Sequence, residues 1–303
     1  MVHDFSIKSA GETIYGTIWE PEEKPKALVI FAHGITDFHS RYDDFFNHLN
    51  NRGTVIMGFD YPGHGRSEGT PRVYFGKNGV KRLKTILRRC IDLGKSRYEN
   101  IPIILLGMSL GSYLVRSYLS QETDDRIDGV VLVGTGEMSP IELFIAKVIV
   151  KIEEIIHGDK AAPDLIQELA FGSYNQNFAP VRTAMDWLIK DPDELDLFMN
   201  SPYRGEKVTI GAFRDLLSLV SISCKKSNIR AGKKVPVLIC SGKEDAVGGF
   251  GDKVKETYSK FEDAGYSVVL RLYKNSRHDV LHDYDSEEAY SNISSWLETF
   301  KEV

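Results

Sequence analysis

One stretch near the middle of the chain constrains the fold more than any other. The apolar residues 103–106 run directly into Gly107-Met108-Ser109-Leu110-Gly111, and a helical pattern of apolar residues follows. Strand, Gly-x-Ser-x-Gly and helix in this order predict a sharp turn that exposes the serine hydroxyl. Glycine is needed at both ends of the motif because a Cβ there would collide with neighbouring backbone. We therefore predict that Ser109 is a nucleophile and that the Leu110 N–H faces a developing oxyanion.

The same Gly-x-Ser-x-Gly pattern occurs a second time, at residues 65–69 around Ser67. Here the polar and turn-forming residues 60–64 separate the motif from the preceding apolar run. Thr70-Pro71 follows in place of a helical pattern. This second motif is therefore predicted to be a loop, because it lacks both the strand and the helix.

Alternating apolar runs and helical patterns predict the α/β class. Residues 5–9 and 13–19 flank a short turn and indicate an N-terminal hairpin. Continuous apolar runs are typical of parallel strands covered on both faces by helices. Such runs occur at residues 27–32, 55–59, 101–106, 130–133, 235–240 and 268–273. We expect a mostly parallel sheet with helices on both faces.

Strand patterns stop between Glu137 and about Gly232. Helical patterns replace them, at residues 141–156, 164–170, 181–189 and 210–222. The economical interpretation is a helical insertion rather than a second independent domain. We expect residues 1–136 and 233–303 to form the core and residues 137–232 to form a cap, or lid.

A serine hydroxyl becomes a good nucleophile only when a base takes its proton and a third group orients that base. In hydrolases with this strand-to-helix turn, the chain order is serine, acid, histidine. His157, His278 and His282 follow Ser109. We favour His278, because it comes directly after the last predicted strand, whereas His157 lies in the helical block. His282 stays open as a neighbour of the site.

The acid is expected after the strand at residues 235–240. Asp245 is the favoured residue there, and Glu244 is its rival. The second oxyanion donor is expected from the loop after residues 27–32, where the Ile35 N–H fits. His33, at the start of that loop, is expected to pack beneath it.

Composition excludes several classes of function. The chain has 303 residues, of which 42% are apolar, and its formal net charge of −5 leaves no basic footprint for nucleic acid. We see no secretory signal, no membrane-spanning run and no metal-ligand spacing. The cysteines Cys90, Cys224 and Cys240 are odd in number, which favours free thiols and a cytoplasmic location.

The chain resembles the monoacylglycerol lipase and lysophospholipase branch of the α/β-hydrolases, which is similar to the serine aminopeptidase S33 group. The matching segments, spread over nearly the whole chain outside the cap, are His33-Gly34, Arg41-Tyr42, residues 60–69, residues 107–111, residues 241–245 and His278. The resemblance implies the α/β-hydrolase fold and no cofactor. It also implies that Ser109, Asp245 and His278 cleave a monoacylglycerol or a lysophospholipid through an acyl-enzyme. The chain departs from the family at Thr36-Asp37-Phe38, where Gly-Glu-His is common, and at Ala246, where proline is common.

Several alternatives stay open at this point. A thioesterase, or a short-chain or aryl (cinnamoyl-type) carboxylesterase, would use the same three residues. A peptidase or a non-catalytic binding protein could also use this fold. Residues 141–152 are unusually apolar, and they could either pack on the core or line a channel for an acyl chain. The expected partners are a small ester or lipid substrate and, through the cap, a membrane surface in transient contact.

Overall fold

A computed structural model describes residues 1–122 and 124–300. The described strands form one eight-stranded sheet in the order β1-β2-β4-β3-β5-β6-β7-β8. The first two strands form an antiparallel hairpin, and β2 pairs antiparallel with β4, whereas all other pairs are parallel. The strands are β1 (Val2–Ser9), β2 (Glu12–Trp19), β3 (Ala27–Ala32), β4 (Thr54–Phe59), β5 (Ile103–Met108), β6 (Ile127–Val133), β7 (Val237–Gly242) and β8 (Val268–Tyr273). The predicted α/β class is confirmed.

Helices connect and flank the strands. The α-helices are α1 (Asp43–Asn50), α2 (Gly79–Arg97), α3 (Leu110–Gln121), α4 (Pro140–His157), α5 (Asp164–Gln167), α6 (Ser173–Asn175), α7 (Pro192–Met199), α8 (Ile210–Ser223), α9 (Lys226–Ala231), α10 (Asp252–Asp263) and α11 (Ser286–Glu298). Short 3₁₀ turns occur at His39–Tyr42, Gln176–Phe178 and Val280–His282, and a π-helical turn occurs at Glu168–Gly172.

One helix predicted from the sequence is wrong. Residues 181–189 form turns, because the Asp186 carboxylate accepts the backbone N–H groups of Arg182 and Thr183, at 2.7 and 2.9 Å. Side-chain bonds of this kind compete with helical hydrogen bonding. The neighbouring helix α7 was missed, although Asp191 caps its N-terminus and proline occupies its first position. Capping aspartate followed by proline is a recognisable start signal.

The core lies on both faces of the parallel strands. In β3 every residue is buried, and alternate side chains point to opposite layers. Leu28 and Ile30 join a cluster with residues of α2, α3 and α8. Val29 and Phe31 join a second cluster with residues of α1 and α11. This double coverage explains why the strands read as continuous apolar runs.

The segment between β6 and β7 contains α4 to α9 and, in its described residues, no strand. Within it α4 packs against α8, and α8 packs against α2 and α3 of the core. The end of the predicted core, residues 301–303, lies outside the described residues. No helix in the described part of the chain has both the length and the apolar character needed to span a membrane.

Candidate active site

The turn between β5 and α3 holds Ser109 in an unusual backbone conformation. Its φ and ψ are 52° and −114°, a backbone conformation that residues other than glycine rarely adopt. A Cβ on Gly107 would lie 2.3 Å from the Gly111 carbonyl oxygen, and one on Gly111 would lie 1.9 Å from that of Ala32. Both glycines are therefore needed for the chain to turn this sharply beside β3.

Three predicted residues meet at the carboxyl end of the sheet. Ser109 Oγ lies 2.9 Å from His278 Nε2, although the two residues are 169 positions apart. His278 Nδ1 lies 2.9 Å from Asp245 Oδ1. Asp245 follows β7, and His278 follows β8. The three side chains thus form one hydrogen-bonded chain from hydroxyl to imidazole to carboxylate.

Asp245 is held by further hydrogen bonds. The Ser241 hydroxyl donates to Oδ2 at 3.0 Å, and the Val247 N–H donates to Oδ1 at 2.9 Å. Burial alone would raise the pKa of Asp245, but His278, the Gly248 N–H and the Ser241 hydroxyl hold it below its usual value. The rival Glu244 instead pairs with Lys190 at 2.6 Å. Of the two carboxylates, Asp245 is therefore the one that is buried and in contact with His278.

The electrostatics of His278 follow from the same contact. Burial on its own would lower the pKa of His278, because a charged imidazolium is costly away from water. The adjacent Asp245 carboxylate outweighs this effect and raises the pKa of His278 above its usual value. The contact with Asp245 therefore favours the protonated, positively charged form of the ring.

The other histidines weighed from the sequence lie elsewhere. His282 Nδ1 lies 2.9 Å from Asp279 Oδ2, and its Nε2 lies 3.1 Å from the Arg41 carbonyl oxygen. His157 lies at the end of α4, where it is half exposed and 3.5 Å from Glu153. It is His278 that the structure brings within hydrogen-bond distance of Ser109.

The second Gly-x-Ser-x-Gly motif lies in a loop, as predicted. The Ser67 hydroxyl donates to the Asp60 carbonyl oxygen at 2.9 Å and accepts the Tyr15 N–H at 2.9 Å. Ser67 therefore ties the loop to the N-terminal hairpin.

Two backbone N–H groups were expected to face the oxyanion. Ile35 and Leu110 both line the cavity that contains Ser109. Leu110 is the first residue of α3, where backbone N–H groups have no partner within the helix and the helix dipole favours negative charge. Beneath the Ile35 loop, His33 is buried and accepts the Tyr61 N–H at 3.3 Å. Burial lowers the pKa of His33 to about 3, so it supports the loop as a neutral ring.

Ser109 and His278 open into a cavity of about 420 Å³. Its walls come mainly from apolar side chains of the segment between β6 and β7, among them Ile149, Val150, Leu169, Phe171, Leu216 and Val220. Among the described residues that line the cavity, Glu142 is the one Asp, Glu, Lys or Arg side chain. Its carboxylate already accepts the Ser139 N–H at 2.8 Å in a capping box at the start of α4.

Sequence reasoning missed some walls of this cavity. Trp187 packs against His278, with ring centroids 5.4 Å apart, but it lies in the segment wrongly predicted to be helical. The apolar pattern of α8 was recognised, yet periodicity does not indicate which cavity a face lines. No group of three or more His, Cys, Asp and Glu side chains in the described residues is arranged to hold a metal ion.

An eight-stranded sheet with a serine at a strand-to-helix turn, bonded to a histidine and a buried aspartate, defines an α/β-hydrolase. More narrowly, the chain belongs to the serine aminopeptidase S33 family, whose sequence pattern matches residues 23–285. This confirms the resemblance drawn from the sequence.

Individual relatives match over nearly their full length. The chain is 23% identical to a monoglyceride lipase homolog of Monkeypox virus, with 94% of each chain covered. It is 21% identical to a monoacylglycerol lipase of Mycolicibacterium smegmatis, covering 97% of this chain and 96% of the relative. A thermostable carboxyl esterase from Bacillus coagulans, crystallised with glycerol, has the same fold, with a TM-score of 0.91, 20% identity and 99% of both chains covered. The expected class of enzyme, a carboxylic ester hydrolase, is confirmed.

Proposed function

We propose that the protein hydrolyses lipid monoesters, monoacylglycerols or lysophospholipids, by a Ser109–His278–Asp245 triad and an acyl-enzyme. The observation that carries the proposal is the hydrogen-bonded chain at the floor of an apolar cavity of about 420 Å³. Two full-length relatives with monoglyceride or monoacylglycerol lipase names support the same substrate class.

The mechanism follows from the positions of these groups. Ser109 Oγ attacks the ester carbonyl carbon while His278 Nε2 removes the hydroxyl proton. The carbonyl oxygen becomes an oxyanion, which the Ile35 and Leu110 N–H groups stabilise. The C–O bond to the alcohol then breaks, and the imidazolium gives its proton to the leaving alcohol. A water molecule, deprotonated by the same histidine, releases the acid from Ser109. Asp245 keeps the imidazole in the required tautomer throughout.

The cavity favours an aliphatic acyl group over a charged substrate. Each methylene buried against its walls would contribute about 0.8 kcal/mol to binding. A peptidase that acts at a chain end would need a charged group to hold the terminus, and Glu142 is already engaged by Ser139. A short-chain or aryl carboxylesterase or a thioesterase would use the same triad. These differ from the proposal in the acyl and leaving groups that they prefer.

Residues 137–232 act as a cap over a core of residues 1–136 and 233–303. One face of α4 within this cap is exposed and apolar, with Phe144 68% and Ile155 74% exposed. Exposed apolar surface of this kind beside a substrate cavity suits contact with a lipid surface. The protein would touch a membrane transiently through α4 and take its substrate from there. A cytoplasmic location is part of the proposal, since the three cysteines form no disulfide.

The two serine motifs provide a matched test of the triad. Ser109→Ala should abolish ester hydrolysis and labelling by a fluorophosphonate probe while the protein stays folded. Ser67→Ala should keep most of the activity and lose about 1 kcal/mol of stability with its hydrogen bonds. Loss of labelling in the Ser67 variant alone would overturn the assignment of the nucleophile.

A substrate panel tests the lipid monoester assignment. It should contain p-nitrophenyl esters, monoacylglycerols, lysophospholipids and an acyl thioester, all below their micelle concentrations. The proposal expects the highest kcat/KM for a monoacylglycerol or a lysophospholipid. A preference for acetate or butyrate esters, or for the thioester, would replace it with the corresponding alternative.

A further inference from the structure

A buried arginine connects the two loops that carry the reacting groups. Arg41 Nη1 lies 3.1 Å from Asp37 Oδ2, and Arg41 Nη2 lies 2.8 Å from Asp279 Oδ2. Asp37 is two residues beyond Ile35 in the loop after β3, and Asp279 directly follows His278 in the loop after β8. The Arg41 side chain is only 7% exposed, so both contacts are shielded from water.

Each carboxylate is fixed by a further partner. The Tyr42 hydroxyl donates to Asp37 Oδ2 at 2.6 Å, and His282 Nδ1 lies 2.9 Å from Asp279 Oδ2. Burial works against the charged form of Asp279, but His282 and Arg41 hold its pKa well below the usual range. Both carboxylates therefore have defined positions around one guanidinium.

The sheet does not join these two loops directly. In the strand order, β5, β6 and β7 separate β3 from β8. The loop with the oxyanion donor and the loop with the base therefore share no strand pairing. A substrate carbonyl must meet both at once, and oxyanion donors must lie about 2.7–3.1 Å from the developing charge. A direct link between the loops is what this requirement calls for.

We propose that Arg41 is a positioning residue that sets the Ile35 loop and the His278 loop at the separation that ester cleavage needs. The inference rests on the proposed function, because it assigns Ile35 and His278 their roles there. Arg41 also stacks on the cap: its guanidinium carbon lies 4.5 Å from the centroid of the Phe198 ring of α7. Phe198 lines a small cavity beside Ser109, so the same arginine supports a wall of the site.

The competing explanation is that Arg41 merely stabilises the fold. Removing one partner from a buried ion pair is destabilising wherever the pair lies. Arg116 offers a matched control, because it is also buried, lies 2.5 Å from Glu137 and stacks near the Tyr113 ring at 5.6 Å. Its partners lie in neither the Ile35 loop nor the His278 loop. Tyr113 does line the cavity that contains Ser109. The two arginines therefore separate an effect on stability from an effect on the spacing of the Ile35 and His278 loops.

The experiment compares Arg41→Met, Arg41→Lys and Arg116→Met. For each variant the melting temperature, kcat and KM for a soluble p-nitrophenyl ester, and the rate of labelling by a fluorophosphonate are measured below the melting transition. Arg41→Met should lower kcat and the labelling rate about 10²-fold, the size of effect produced by a misplacement of about 1 Å. Its KM should stay within about twofold of wild type, since ground-state binding is not removed.

The remaining variants decide between the explanations. Arg41→Lys should recover part of kcat, because an ammonium group can still pair with one carboxylate. Arg116→Met should lose stability but keep its kcat within about threefold of wild type. Equal kcat losses in Arg41→Met and Arg116→Met would overturn the proposal. If Arg41→Met fails to fold, Asp37→Asn replaces it, and an unchanged labelling rate in that variant would equally overturn the proposal.

The labelling rate also keeps this test separate from the proposed substrate. A wild type that reacts with the fluorophosphonate but does not cleave lipid monoesters would contradict the substrate assignment. The Arg41 comparison would still be decided by the labelling rates, because they depend on the Ile35 and His278 loops and not on the lipid.

Discussion

At the scale of single residues, the proposed site depends on one strained backbone position and one buried contact between a carboxylate and an imidazole. A conformation such as that of Ser109 costs about 1–3 kcal/mol and persists only where neighbours enforce it. The Ser109 N–H donates to the Val133 carbonyl oxygen at 2.9 Å, and the Ser112 hydroxyl donates to the Ser109 carbonyl oxygen at 2.7 Å. These bonds hold the turn from both the sheet and α3. The hydroxyl is therefore held in place before any substrate binds.

The pH dependence of hydrolysis should report the Asp245–His278 contact. His278 can accept a proton only when neutral, and Asp245 raises its pKa. We therefore expect kcat/KM to rise with pH through an apparent pKa above the usual histidine value of about 6.5. Asp245→Asn should shift this limb to lower pH and reduce kcat about 10⁴-fold through the wrong tautomer.

His157→Ala serves as the control for this profile, because His157 lies half exposed at the end of α4. Its profile should match that of wild type. An acid limb that does not move in Asp245→Asn would show that another group governs the titration.

At the scale of elements, α4 divides its apolar residues between two environments. Ile149 and Val150 line the cavity above Ser109, whereas Phe144 and Ile155 project from the surface. The two interpretations of residues 141–152 were packing on the core and lining a channel. The structure adds a third environment, an exposed face. A helix with apolar residues around so much of its circumference cannot place all of them against one neighbour, so part of its apolar surface stays exposed.

Two substitutions in α4 should therefore each affect a different property, one the acyl-length preference and the other the binding to vesicles. Ile149→Ser should flatten the dependence of kcat/KM on acyl length from C2 to C16, because it replaces part of the apolar wall with a polar group. Each methylene of the acyl chain that is buried against an apolar wall contributes about 0.8 kcal/mol to binding. Its binding to phosphatidylcholine vesicles should remain. Phe144→Ser should keep the acyl-length profile for monomeric esters and weaken vesicle binding, measured by co-sedimentation.

The comparison of these two variants decides whether the two faces of α4 have separate roles. Parallel losses of both properties would mean that α4 acts through general stability. A vesicle affinity unchanged in Phe144→Ser would remove the membrane contact from the proposal.

At the scale of the whole molecule, α8 joins the segment between β6 and β7 to the core. Asp215 of α8 is 5% exposed and lies against Gly79, the first residue of α2. Its Oδ2 has no hydrogen-bond partner among the described residues, and the Arg214 Nε lies 3.6 Å from its Oδ1. Burial, together with Asp159 and Glu154 nearby, outweighs Arg214 and raises the pKa of Asp215 to about 6.

This raised pKa should make the stability of the protein depend on pH. The folded state holds the Asp215 proton more tightly than the unfolded state, so the native state binds more protons between pH 4 and pH 6. The contribution of Asp215 to the free energy of unfolding should therefore fall as the pH rises through that window, by about 1 to 3 kcal/mol.

Asp215→Asn should remove this loss, because an amide does not titrate. Urea unfolding at several pH values measures it, with the exposed Asp263→Asn as control. Equal pH slopes in wild type and Asp215→Asn would contradict the prediction.

Much of this architecture could be predicted from local sequence patterns. Buried parallel strands show as continuous apolar runs, and the turn at residues 107–111 has its own glycine signature. Ser109, Asp245 and His278 could be chosen because parallel strands bring their carboxyl ends to one edge of the sheet. The order serine, acid, histidine then indicated which strand end should carry each residue.

Other features depended on contacts between segments distant in the sequence. Residues 181–189 have an apolar pattern that suits a helix, but Asp186 captures their N–H groups. Arg41 was visible as part of a family motif, yet its role depends on Asp279, which is 238 positions further along the chain. Hydrophobic periodicity records that a face is buried and not what it is buried against. The sequence by itself therefore determined the strands, the turn and the chain order of the three proposed catalytic residues. Only the tertiary structure decided the shape of the cavity and the link between the two loops, because both arise from side chains that meet across the fold.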